Sequence, residues 1–239
     1  MNESSRPLLN RTSYKTGPKA PVRIVHLGLG AFHRAHQAWY TNQVDAAREW
    51  GIAAFTGRSP AAANILSRQD GLYTLIVRSG EGDTSQVVES IVEASDGANL
   101  ARLTELVGAT TTVIITLTVT EAAYFLGAEG GLNFGAAPVA ADLELLRRNW
   151  SNGGAGKAAE QKPSTVAGRL VVALEARRKS GAGPIAVVSC DNLTANGTVA
   201  RRTISDLAQA VSPELGGWVA RNVSFVGTSI DRITPKTTA

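Results

Sequence analysis

The sequence is poor in the residues that build disulfides and metal sites. Its 239 residues include a single cysteine, Cys190, and only three histidines. One cysteine cannot form an intrachain disulfide or supply a cysteine-based zinc site, and it suits a reducing compartment. Aromatic residues make up 5% of the chain and do not alternate with basic residues as a nucleic-acid stacking platform requires. We therefore expect neither a disulfide scaffold nor a nucleic-acid partner.

Long apolar segments and a strong charge bias are absent as well. The longest apolar run, at 113–115, is far too short to cross a bilayer. The polar N-terminal stretch does not contain the apolar core of a secretory signal. The net charge is only +4, and its short basic clusters lie in predicted helices. We expect a globular, cytoplasmic protein that acts on a small molecule and has no membrane partner.

Predicted strands alternate with predicted helices along most of the chain. Strand-forming runs occupy 22–27, 52–56, 112–117, 184–189 and 223–226. Helical segments separate them, which favours an α/β fold with a doubly wound, mostly parallel sheet covered by helices on both faces. Residues 1–20 are predicted to be a flexible lead-in, and 21–239 are predicted to form one Rossmann-type dinucleotide-binding domain.

Two further expectations concern the first half of the chain. A long helix is predicted over 32–50, because Gly51 follows as a stop signal. The runs 72–77 and 86–92 flank a turn at 79–83 and are predicted to form a β-hairpin.

A glycine-containing turn follows the first strand. It reads Gly28-Leu29-Gly30-Ala31-Phe32-His33, and its first two glycines match the dinucleotide-binding fingerprint. Gly28 would permit a tight turn, and Gly30 would let a pyrophosphate approach the backbone at a helix N-terminus. His33 occupies the place of the third glycine, so the helix must pack differently here. A plain tight turn is the alternative.

The end of the second strand carries no acidic residue. Dinucleotide folds usually place Asp or Glu there, bonded to the adenosine ribose, but this chain has Gly57-Arg58-Ser59. Arg58 and Ser59 are candidates to bind a 2′-phosphate, which favours NADP over NAD. The alternative is that Arg58 stacks on the adenine or faces solvent.

Five motifs follow one another along the chain. They are Gly28-Leu29-Gly30-Ala31-Phe32-His33-Arg34-Ala35-His36-Gln37, Gln69-Asp70-Gly71-Leu72-Tyr73-Thr74-Leu75, Leu117-Thr118-Val119-Thr120-Glu121, Ser189-Cys190-Asp191-Asn192-Leu193 with Asn196-Gly197, and Asp231-Arg232-Ile233-Thr234-Pro235. Together they resemble the mannitol dehydrogenase family, the polyol-specific long-chain dehydrogenases and reductases. The resemblance implies an NAD(P)-dependent oxidoreductase that exchanges a sugar-alcohol hydroxyl for a ketone by hydride transfer.

The resemblance also implies roles for particular residues. Asn192 would polarise the substrate carbonyl as an amide donor aimed at a developing alkoxide, with an Asx turn or helix cap as the alternative. Asp231 would lie near the substrate hydroxyls, with a salt bridge or turn as the alternative, and the loop from Thr118 to Thr120 would lie by the nicotinamide. The candidate catalytic residues are Asn192 and Asp231, no metal is expected, and the candidate cofactor-binding residues are Gly28, Leu29, Gly30, Ala31, Phe32, Arg58, Thr118, Val119, Thr120 and Asn192.

One part implied by the resemblance does not occur in these residues. The family's general base is a lysine in a helical C-terminal domain, and only Lys236 follows Asp231 here. We expect the full-length protein to supply that domain, and this chain to be the cofactor-binding half, inactive alone. The substrate stays open between a polyol–ketose pair of the mannitol–fructose type and a hexuronate such as fructuronate or tagaturonate. A non-catalytic nucleotide-binding module is the alternative of another class.

Overall fold

The computed structural model describes residues 8–151, 162–230 and 234. The chain divides into two compact units, of which the first includes residues 8–97 and the second consists of residues 98–230. Strands and helices alternate in each unit. No helix within these described residues is long and apolar enough to cross a membrane.

Three parallel strands carry the core of the first unit. The elements of this unit are β1 (Val22–Leu27), α1 (Ala31–Ala35), α2 (Gln37–Val44), β2 (Gly51–Phe55), α3 (Ala61–Arg68), β3 (Tyr73–Val77), β4 (Thr84–Val88) and β5 (Ile91–Ser95). The three parallel strands lie in the order β5-β2-β1, and Ile52 is opposite both Ile24 and Ile91. All five residues of β2 are buried. A short apolar strand buried on both faces is typical of parallel sheets, and this explains why the sequence pattern located it.

The first helix is shorter than predicted. The segment expected to be helical over 32–50 is broken at His36, whose φ of −120° and ψ of −96° are not helical, and it ends at Val44. The Asp45 carboxylate accepts hydrogen bonds from the backbone N–H groups of Glu49 and Trp50 at 2.9 and 2.8 Å. These bonds replace the helical pattern, so the helix ends well before Gly51, where β2 begins.

The predicted hairpin is present, but its second run belongs to two strands. β3 and β4 pair antiparallel, with Tyr73 opposite Val88. After Glu89 and Ser90 the chain continues as β5, which pairs with β2 in the parallel set. The Ser90 hydroxyl donates to the Ala38 carbonyl at 2.6 Å at this change of partner. The run 86–92, predicted as a single strand, therefore contains a boundary between two strands at Glu89 and Ser90.

The second unit has the same alternating construction. Its strands are parallel in the order β6-β7-β8, and its elements are α4 (Leu100–Val107), β6 (Ile114–Leu117), a 3₁₀ turn (Glu121–Tyr124), α5 (Ala137–Ser151), α6 (Val166–Ser180), β7 (Ile185–Ser189), α7 (Asn196–Val211), α8 (Pro213–Asn222) and β8 (Val223–Gly227). The side chain of Thr165 caps α6 by accepting from the Gly168 N–H at 2.9 Å, and Gly181, with φ of 67°, ends it. Leu170 and Leu174 of α6 are fully buried.

Candidate functional site

The glycine turn after β1 is tied to the end of β2. Gly28 has a φ of 113°, a conformation that side chains other than glycine rarely adopt. The N–H groups of Gly28 and Leu29 both donate to the Phe55 carbonyl at 2.9 Å. The turn is therefore fixed in shape by β2.

Neither the backbone conformation nor a contact with another described residue requires glycine at position 30. Its φ of −123° and ψ of −174° are extended values that any residue adopts. A Cβ at this position would meet only the Gly28 carbonyl, at 3.6 Å, which is ordinary contact. The N–H groups of Ala31 and Phe32 follow in the first helical turn, where a helix offers no carbonyl partner. Such a surface fits the close approach of a phosphate group to the backbone.

His33 explains the departure from the third glycine of the fingerprint. Its ring is fully buried and stacks on His26 of β1, with ring centroids 3.3 Å apart and an angle of 8° between the planes. Burial lowers the pKa of His33 well below its ordinary value, and His26 adds to this shift. The buried Nε2 atom of His33 has no hydrogen-bond partner. Among the described residues, no group of three or more His, Cys, Asp or Glu side chains could hold a metal ion.

The segment after β2 presents Arg58 to solvent. Gly57, Arg58 and Ser59 are all exposed. The Ser59 hydroxyl accepts a hydrogen bond from the Ala61 N–H at 3.3 Å, at the start of α3. Arg58 is therefore the accessible cation of this segment, whereas Ser59 already has a local structural partner.

In the second unit, a buried carboxylate joins two candidate loops. Asp191, which directly follows Cys190 after β7, accepts hydrogen bonds from the Tyr124 hydroxyl at 2.5 Å and the Ser189 hydroxyl at 2.7 Å. It also accepts from the backbone N–H of Val119, in the loop after β6. Burial raises the pKa of the Asp191 carboxyl, and these three donors oppose the shift. Burial and the adjacent Asp191 raise the pKa of the Tyr124 hydroxyl, which favours its role as a donor.

The residues beside Asp191 separate into an exposed amide and a buried anchor. Asn192 is exposed, whereas Asn196 is 2% exposed. The Asn196 amide donates to the carbonyls of Asp191 and Thr228 at 2.8 and 2.9 Å, and its oxygen accepts from the Thr228 N–H at 3.1 Å. Asn196 thus fixes the turn, and Asn192 is left at the surface. Cys190 is buried, and as the single cysteine of the sequence it cannot form an intrachain disulfide.

Within each unit, the structure brings candidate site residues from different segments close to one another. Val119 and the turn carrying Asn192 meet through Asp191, and Gly28 and Leu29 meet the end of β2 through Phe55. Asp231, the other candidate catalytic residue, lies outside the described residues. Asp191, Tyr124 and Ser189 were not chosen as site residues from the sequence, although the Ser-x-Asp spacing directly after a buried strand was a signal that could have found two of them.

Comparisons with known proteins extend over nearly the whole chain. A family model for the mannitol dehydrogenase Rossmann domain matches residues 22–239. The chain is 36% identical to the mannitol 2-dehydrogenase of Cereibacter sphaeroides, over 96% of this chain and 46% of that protein. It is also 36% identical to the D-mannonate oxidoreductase of Escherichia coli strain K12, over 90% of this chain and 43% of that protein.

A solved structure has the same fold. The Pseudomonas fluorescens mannitol 2-dehydrogenase, in a ternary complex with NAD and D-mannitol, is similar with a TM-score of 0.82 and 29% identity, over 97% of this chain and 48% of that chain. The predicted doubly wound, mostly parallel fold is therefore confirmed. The chain spans less than half the length of each of these relatives.

Proposed function

Because the chain belongs to the mannitol dehydrogenase family through its Rossmann domain, we propose that it is the coenzyme-binding part of an NAD(P)-dependent oxidoreductase. The reaction is hydride transfer between a nicotinamide coenzyme and a polyol or its ketose. The coenzyme supplies the redox chemistry when bound, and the protein supplies position and electrostatics. The observation that carries the proposal is the family match over 22–239, together with a glycine turn whose Gly30 leaves its backbone open.

The glycine turn is proposed to hold the pyrophosphate. The Gly28 and Leu29 N–H groups already donate to the Phe55 carbonyl, so the Ala31 and Phe32 N–H groups, at the start of α1, are the ones proposed to meet the anion. Among the residues that the structure describes, no atom lies closer than 3.6 Å to the position that a Cβ of Gly30 would take. The absence of a side chain there is explained by a ligand that needs the space.

Arg58 is proposed to select the coenzyme. It is exposed after β2, where dinucleotide folds usually have an acidic residue that would repel a 2′-phosphate. A guanidinium suits a phosphate group, so we propose NADP over NAD. Binding of NADPH and NADH to the 239-residue chain, measured by calorimetry, should favour NADPH, and Arg58→Ala should weaken NADPH more than NADH. Tighter NADH binding, unaffected by the substitution, would refute this assignment.

Asn192 is proposed to donate to the substrate oxygen that gains charge as hydride arrives, because an amide donor stabilises a developing alkoxide. Its exposure leaves the amide open to a substrate, and the family assigns Asp231 to the substrate hydroxyls. The two named relatives act on mannitol and on D-mannonate. We therefore propose a polyol–ketose pair of the mannitol–fructose type, with a hexuronate as the second candidate.

The 239 residues taken alone are proposed to bind coenzyme and to turn over substrate slowly. The family's general base lies in the helical C-terminal domain, and a positioned base contributes on the order of 100- to 10,000-fold. We expect that domain to be the partner in the full-length protein. The presence of a single, buried cysteine supports the proposal of action in a reducing compartment such as the cytoplasm.

A steady-state assay of mannitol and of fructuronate with the purified chain tests this proposal. Coenzyme binding with very slow turnover is expected. Rapid polyol oxidation would overturn the claim of low activity, and failure to bind NADH and NADPH would overturn the coenzyme-binding function itself. A non-catalytic nucleotide-binding module is the alternative, and it predicts that the full-length protein binds coenzyme but has no oxidoreductase activity that replacing Asn192 could lower.

A further inference from the structure

We infer that Asp191 is a positioning residue for the nicotinamide half of the coenzyme, an inference that rests on the proposed function. Its carboxylate holds the Thr118–Thr120 loop against the turn that carries Asn192. One buried side chain thus holds together the two loops that are proposed to contact the nicotinamide and the substrate oxygen.

The carboxylate uses both of its oxygens. Oδ1 accepts from the Val119 N–H, while Oδ2 accepts from the Tyr124 hydroxyl at 2.5 Å and the Ser189 hydroxyl at 2.7 Å. Val119 and Tyr124 lie on either side of the start of the 3₁₀ turn. Asp191 therefore holds this part of the second unit at two points.

Asp191 is itself rigidly held. Its carbonyl accepts from the Asn196 amide at 2.8 Å, and Asn196 is bonded in turn to the backbone of Thr228 after β8. The side chain is 5% exposed, so water does not compete freely for its oxygens. A rigid acceptor fixed at the end of β7 can set the position of the loop whose Val119 N–H it accepts.

An asparagine at this position would keep the side-chain volume but would not hold the Thr118–Thr120 loop as the carboxylate does. Its amide has one accepting oxygen and one donating nitrogen, whereas the site presents donors to both carboxylate oxygens. In one orientation of Asp191→Asn the NH₂ group faces the Val119 N–H, donor against donor. In the other it faces the Ser189 and Tyr124 hydroxyls, which must then accept instead of donate and lose their bonds to a carboxylate. The first arrangement frees the Thr118–Thr120 loop directly, and the second loosens the 3₁₀ turn that follows it.

Asp142 provides a matched control in the same unit. It is 2% exposed and accepts hydrogen bonds from the Ser164 and Thr165 N–H groups at 2.8 Å and from the Thr165 hydroxyl at 2.7 Å. These contacts secure the start of α6 and do not involve the proposed nicotinamide loop. Asp142→Asn thus damages a comparable buried carboxylate outside the proposed site.

The experiment compares two ligands that differ in the nicotinamide half. Calorimetry on the 239-residue chain measures Kd for the preferred coenzyme, NADH or NADPH, and for the matching fragment that lacks only the nicotinamide ring, ADP-ribose or its 2′-phosphate. Asp191→Asn should raise Kd for the coenzyme about tenfold, equivalent to about 1.4 kcal/mol, and change Kd for the fragment less than twofold. Asp142→Asn should lower Tm without changing the ratio of the two dissociation constants.

The outcomes separate the possible failures. If wild-type protein binds neither ligand, the proposed function fails and this inference fails with it. If wild-type protein binds both, but folded Asp191→Asn weakens them equally or not at all, Asp191 is merely structural and the inference is wrong. Should Asp191→Asn not fold, Tyr124→Phe removes one donor and keeps the Val119 contact. It should give a smaller but still coenzyme-selective loss, and an unselective effect overturns the inference.

Discussion

Arg177 offers a direct test of how the second unit is held together. The side chain is 1% exposed and donates to six backbone carbonyls, those of Val107, Ala109, Thr112, Ala182, Gly183 and Pro184. These carbonyls follow or end α4 and α6 and precede β6 and β7. One guanidinium thus supplies hydrogen-bond donors to backbone carbonyls at the C-terminal ends of two helices, where such carbonyls lack helical partners.

The magnitude follows from the two partners that are fully buried. Arg177→Met keeps an apolar stem and removes every donor. The carbonyls of Val107 and Thr112 accept at 2.8 and 2.9 Å in buried bonds, whereas water can reach the partly buried others. A buried acceptor left unsatisfied costs about 1–3 kcal/mol. Because removal of a buried charge offsets part of that cost, we expect a loss of about 3 kcal/mol in the free energy of unfolding.

Urea unfolding followed by circular dichroism measures this loss. Arg147→Met is the control, since Arg147 is exposed and its Nε donates to the Ala210 carbonyl at 2.8 Å. A surface substitution of this kind should cost less than about 1 kcal/mol. If Arg177→Met were as mild as the control, the interpretation of Arg177 as an energetic link between two helix ends would be refuted.

Two further predictions concern His33 and Gly30. Because burial lowers the pKa of His33, the folded state binds this proton less readily than the unfolded state, and stability should fall below about pH 6.5 by up to about 1.4 kcal/mol per pH unit. Urea unfolding between pH 7.5 and 5 checks this, and an equal slope for His33→Phe would count against it. Gly30→Val should preserve Tm and weaken NADPH binding at least about tenfold, whereas Gly197→Ala should lower Tm, because its Cβ would lie 2.4 Å from the Gly227 nitrogen. A normal affinity in Gly30→Val would contradict the pyrophosphate assignment.

The parallel strands were predictable because strands buried on both faces have a characteristic composition. β6 and β7 are short runs rich in apolar and β-branched residues, which is what burial on both faces requires. The break at His36 and the boundary between β4 and β5 depend instead on contacts between distant positions, such as Ser90 with Ala38. No local pattern records such a pair.

From the sequence, candidate site residues could be proposed only where a residue type stands in a recognisable motif. Asn192 stands in a motif, and its exposure agrees with a residue that meets a ligand. Asp191 is adjacent, yet its importance comes from partners at Val119 and Tyr124, which are far away in the sequence. A buried carboxylate acquires its role from the donors that the fold collects around it, so its sequence neighbours do not reveal it.

The glycines show how structural and functional constraints are distinguished once the fold is known. A Cβ at Gly71 would lie 2.0 Å from the Ile91 carbonyl oxygen, and Gly71 has a φ of 84°, so the chain itself requires glycine there. Gly30 and Gly57 have no such requirement, since the nearest atom to a Cβ is 3.6 Å away at Gly30 and none lies within 4 Å at Gly57. Both follow parallel strands, at the carboxyl end where ligands bind in open α/β sheets. The proposed coenzyme would account for the glycine at position 30, and substitutions there should separate binding from stability.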